Sequence, residues 1–193
     1  MKEHRHGHQG ERDRYYLYGY KVMIELRKDE LLYDIKNTAY VFADSRKDDD
    51  KEPHGLHNIY DVCEDGNIDK VARLMDSAVE DCKELLFSMT RAKATSGGFV
   101  SDEWEEVTGS PCNDEDCYYL ALRVPWSFSA TSARSMMVYA HEYIVNRVLY
   151  KWMLLAYSDG AQTFGMLAEH ARESLKTAAG RTALPVRIRK SLF

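Results

Sequence analysis

Four cysteines and four prolines are all that the 193 residues contain. Cys63, Cys82, Cys112 and Cys117 form no Cys-x-x-Cys pair, and no Cys/His spacing matches a structural zinc site. No positively charged n-region followed by an apolar h-region opens the sequence, so free thiols in a reducing cytosol are the expectation. Glycine-rich phosphate loops of the G-x-x-x-x-G-K-[ST] or G-x-G-x-x-G type are missing, which removes nucleotide binding through those mechanisms. A long uninterrupted apolar run is missing too. The nearest approach, residues 136–157, carries His141, Glu142, Asn146, Arg147 and Lys151, too many polar groups for lipid. It reads as a core helix, with no membrane partner.

What is present is an ordinary globular composition, 45% hydrophobic and 30% charged. Tyrosine is abundant at 13 residues, which favours half-exposed packing and protein interfaces. Net charge is −5, unlike a general nucleic-acid binder. The final RTALPVRIRKSLF has no acidic residue and holds Arg181, Arg187, Arg189 and Lys190. The remainder has 22 basic against 31 acidic residues, a net −9. An acidic body with a basic tail can dock on copies of itself, on acidic partners or on a phosphate backbone.

The pattern along the chain predicts a mainly α fold with a few strands (α+β), a helical bundle around one long amphipathic helix. Residues 1–14 read as a disordered His-rich tail, in which His4, His6 and His8 are able to pick up a transition metal in vitro. Residues 15–180 form a single helical domain with loops at 44–58 and 92–116, and 181–193 form a basic C-terminal arm. YYLYGYKVMIELR predicts a strand ending at Arg27, and KDELLYDIKNTAYVFAD a helix with Leu31, Leu32, Ile35 and Ala39 inward and Asp29 as cap. One continuous helix from Tyr20 to Val41 is the competing pattern. Asp48, Asp49 and Asp50 lack the spacing of an EF-hand loop and read as solvated charge.

A helix of roughly six turns should follow Asn67, its N-cap, with Ile68, Val71, Met75, Val79, Cys82 and Leu86 on the apolar side. Cys82 on that stripe is a core thiol rather than a nucleophile. CYYLALRV alternates as a strand, with Tyr118, Leu120, Leu122 and Val124 on one face. Ser129, Thr131 and Ser132 are candidate caps for the long helix, whose apolar face takes Met136, Met137, Ile144, Val145, Val148, Leu149, Trp152 and Leu155. After a break at SDG (158–160), TFGMLAEHARESLKTAAG places Phe164, Leu167, Ala168, Ala171 and Leu175 at helical spacing until Gly180. PVRIRKSLF alternates as an arm or edge strand.

One motif invites chemistry. AHEYIVNR begins the zinc pattern H-E-x-x-H, in which two imidazoles one turn apart share a metal. Val145 stands where the second imidazole is needed, so His141 reads as a hydrogen-bonded histidine at the core edge. The acidic loop 92–116 has carboxylates but no sign of the buried pocket that would separate their pKa values. No catalytic, cofactor or metal residue is assigned.

The stretches RYYLYGYKVMIELRKDELLYDIKNTAYV and HEYIVNRVLYKWM, with the basic Phe-ended tail, resemble an uncharacterised family of small proteins encoded among virion genes in prophages of gut bacteria. The likeness covers most of the chain, most loosely at 44–58 and 92–116. The order helix, loop, strand, long helix is also similar to small neck proteins that join a phage head to its tail. That resemblance implies a non-enzymatic virion subunit forming a ring with copies of itself and meeting other virion proteins, in the host cytoplasm during assembly. Neck (head–tail connector) and tail completion both remain open, because the His-rich tail and KVMIELR have no counterpart in connectors. In such a ring Arg187, Arg189 and Lys190 would meet Asp114, Glu115 and Asp116 of a neighbour, with Val186, Ile188 and Phe193 adding apolar contact. A nucleic-acid-associated or regulatory phage protein, using the same tail on phosphates, is the alternative.

Overall fold

A computed structural model describes residues 20–45, 62, 64–86, 116–124, 127–156 and 158–181. In chain order these form β1 (Tyr20–Arg27), α1 (Lys28–Asp44), α2 (Ile68–Leu85), β2 (Cys117–Val124), α3 (Ala130–Ala156) and α4 (Ser158–Ala179). The architecture is the expected one, mainly helical with a two-stranded antiparallel sheet.

The sheet pairs Tyr20 with Val124 at one end and Arg27 with Cys117 at the other. Alternation along both strands puts Ile24, Leu26, Leu120, Leu122 and Val124 into the core, all buried. Because the side-chain period is two, a slip of one residue would turn that whole set outward, so burial fixes the register. The chain passes from β1 into α1 with no loop, and Lys28 N donates to Asp116 O at 2.9 Å as the ladder ends. The N-cap is Arg27, in extended conformation and without a side-chain cap bond, rather than Asp29. Asp29 lies in the first turn, where it accepts from Glu30 N (2.9 Å) and binds the Arg27 guanidinium (2.8 Å to Nη2). A carboxylate there still favours the positive end of the helix dipole.

Leu31, Ile35, Ala39 and Ala43 recur every four residues along α1 and are fully buried. In α2 the buried stripe is Val71, Met75, Ala78, Val79 and Cys82. Asn67 occupies the N-cap as expected, but its side chain makes no cap bond; its carbonyl accepts from Lys70 and Val71 N at 3.0 Å. Ile68, expected inward, is 41% exposed, since the first turn projects beyond the packing surface. The helix ends at Leu85, nearer five turns than six, and residues 87–91 lie outside the described part.

Helix α3 is the central element and packs on α4, α2, α1 and β1. Ser129 immediately precedes it, and Ser132 N donates to Ser129 O (2.8 Å); Thr131 and Ser132 lie within the first turn, Ser132 buried. Its core face is Met136, Ala140, Ile144, Val148, Leu149 and Met153. Met137 and Leu155, expected on that face, are 39% and 72% exposed: apolar residues surround this helix on more sides than its neighbours cover. SDG is no break either. Residues 158–160 form the first turn of α4, and a single residue separates the two helices.

The α3–α4 hairpin closes tightly. Ala161, Phe164, Ala168, Ala171, Leu175 and Ala178 face inward on α4, and four of these six are alanines, which lets the backbones approach. A Cβ on Gly165 would meet the Tyr150 ring at 3.2 Å, so the missing side chain there is what admits that ring. Leu167, at 46% exposure, sits on the outer face instead of the expected inner one. Gly180 ends the helix, its N–H donating to Lys176 O (3.0 Å), and Ser129 N donates to Arg181 O (3.4 Å) at the base of the hairpin. No helix among the described residues is long and apolar enough to cross a membrane.

These assignments separate two leucines that the sequence pattern treats alike. Leu149→Ala should destabilise by about 2–5 kcal/mol, whereas Leu155→Ala should stay within about 0.5 kcal/mol, by urea denaturation.

Candidate functional site: a polar cleft between three helices

Of the nine residues expected at a subunit interface, only Asp116 is described. It lies exposed in the turn before β2, its carbonyl accepting the Lys28 N–H. Asp114, Glu115, Val186, Arg187, Ile188, Arg189, Lys190 and Phe193 lie outside the described residues, as do His4, His6, His8 and Asp48–Asp50.

The histidine of the H-E pair has a plain structural role. His141 Nε2 lies 2.7 Å from Asp34 Oδ2, and this half-buried contact ties α3 to α1. Glu142 is exposed, and its carbonyl accepts from Asn146 Nδ2 at 2.8 Å. Val145 is buried among the core residues. Among the described residues no three His, Cys, Asp or Glu side chains are grouped to hold a metal ion.

The polar side of α3 meets α2. Asp81 Oδ2 accepts from Arg147 Nε at 3.2 Å and lies 3.5 Å from Lys151 Nζ, which also donates to Ser77 Oγ at 2.8 Å. Cys82, the next residue, points into the core, where burial and the Asp81 charge push its thiol pKa well up and make it a poor nucleophile. Cys117 departs from the expectation of free thiols, because it is disulfide-bonded. A disulfide sulfur has no proton to give, so its 3.6 Å approach to Glu25 Oε1 is a contact only.

Beside the Asp81 cluster a cleft of about 910 Å³ opens between α2, α3 and α4. Tyr143 and Tyr150 of α3, with Leu85 and Met166 from its neighbours, supply apolar wall. Arg147 and Arg172 stand on it, each already holding one acid: Arg147 holds Asp81 through Nε, and Arg172 holds Glu169 through Nη1 at 2.6 Å. The Arg147 guanidinium also lies 5.5 Å from the centre of the Tyr150 ring. Tyr143 is 6% exposed, and its hydroxyl makes no hydrogen bond with any described residue. Burial, with the nearby Asp81 charge adding and Arg147 opposing, pushes its pKa up to about 12. The phenol is a proton donor throughout the neutral range.

This site was not singled out from sequence. Its residues come from three helices, and only the Glu169–Arg172 pair at spacing i, i+3 leaves a local trace. No protein-family model matches the chain, nor does any curated protein or any solved structure.

The raised Tyr143 pKa has a signed consequence. An unfolded tyrosine loses its proton near ~10, so above that pH the unfolded state binds fewer protons and stability falls as pH rises through about 12. Replacing Tyr143 by Phe should make the loss of stability between these pH values shallower, read as melting temperature against pH. An unchanged slope would assign the alkaline loss to other groups.

Proposed function

We propose that the chain is a non-enzymatic virion structural subunit that works by assembly, as a head–tail connector of the neck or as a tail-completion subunit. The resemblance of its sequence to prophage virion proteins supports this, and one structural observation carries it toward assembly. Large apolar side chains stand outward on three helices: Tyr33 on α1 at 69% exposure, Leu155 on α3 at 72% and Leu167 on α4 at 46%. Single exposed apolar residues are ordinary, but a helical body that keeps several large ones outward on three separate helices suits contact with neighbouring subunits. A ring subunit needs two such faces, one for each side. Copies of the same chain and other virion proteins are the partners, in the host cytoplasm before they join the particle.

Native mass spectrometry and electron microscopy of the full chain test it. The expected result is a concentration-dependent closed oligomer, weakened by roughly tenfold or more when Tyr33 and Leu155 are both replaced by Asp, since each tenfold is about 1.4 kcal/mol of contact. A monomer at every concentration, with no association with virion proteins, overturns it.

A further inference from the structure

We infer that the cleft between α2, α3 and α4 is a binding site for a small organic anion with one carboxylate and an apolar aryl or acyl body. Three sets of donors line it without acceptors among the described residues: the Tyr143 hydroxyl, the terminal nitrogens of Arg147, and the Nε and Nη2 of Arg172. A guanidinium offers five N–H groups, and the pairs with Asp81 and Glu169 use only part of each. The Tyr143 ring is largely buried while its hydroxyl has no partner among the described residues, so an acceptor brought by a ligand into the cleft would satisfy it. The two arginines come from different helices and line the same cleft as that hydroxyl, near enough for their charges to act on it, which suits a carboxylate.

The rest of the lining sets the ligand's class. Tyr150 presents a ring face already used by one cation, and Met166 adds an adaptable apolar surface, so the body attached to the carboxylate is apolar. The volume suits a small molecule. Glu84 lines the same cleft and forms no ion pair among the described residues, so the three acids of the lining outnumber its two arginines and oppose a doubly charged ligand more than a singly charged one. A phosphate monoester, which is doubly charged, is thus the poorer fit. None of this requires assembly, so the site stands or falls apart from the proposed function.

Phenylacetate and hexanoate titrated into ¹⁵N-labelled full-length protein provide the test, with phenylacetamide as the neutral counterpart. Saturable amide shifts confined to the cleft-facing parts of α2, α3 and α4 are expected from at least one anion, and tenfold weaker binding from the amide. Tyr143→Phe removes only an oxygen that has no partner among the described residues, so it should melt at the wild-type temperature near neutral pH and bind tenfold more weakly. Arg172→Gln should weaken binding as well. Absence of saturable shifts from both anions at millimolar concentration overturns the site, and so does equal affinity in wild type and Tyr143→Phe.

Discussion

Everything in this fold answers to the burial of α3. Met136, Ile144, Val148, Leu149 and Met153 cannot stay in water, and no single neighbour is broad enough to cover them. Helix α4 takes one side by an alanine-lined approach, while α2, α1 and β1 close the others. The polar positions of α3 are then forced to the seams between these neighbours. His141 falls at the seam with α1, Arg147 and Lys151 at the seam with α2, and each finds an acid there.

Those seam contacts contribute more to arrangement than to stability. Ion pairs with a third of their side chains exposed are worth little in water, on the order of 1 kcal/mol or less. They nevertheless select how α2 and α3 lie together, because Asp81 accepts both cations at one oxygen. The same arrangement leaves Tyr143 in the wall of the cleft with Arg147, Arg172 and Asp81 near enough to act on its hydroxyl. The cleft is thus a by-product of covering α3 with helices that diverge.

The elements themselves were legible in the sequence, because each is written in a local pattern. β2 could be read from its strict alternation, α1 from Leu31, Ile35 and Ala39, and the stop at Gly180 from its type. Where the pattern misled, the residue was apolar but its face had no neighbour, as with Met137, Leu155, Leu167 and Ile68. Periodicity reports which residues share a face; it says nothing of how wide the covering element is. SDG was misleading for another reason, since serine, aspartate and glycine suit a helix's first turn as well as a loop. The cleft was not legible because no stretch of chain contains it. Its residues are spread over α2, α3 and α4 and become neighbours only after packing.

The junction between β1 and α1 has a mechanical side. A strand that becomes a helix within one residue, pinned across to Asp116 by Lys28 N and with its new helix clipped to α3 through Asp34, has nowhere to bend. Force applied to the outward face of α1, where Tyr33 stands, would therefore pass into the sheet as a lever acts on its fulcrum, rather than being absorbed in a loop.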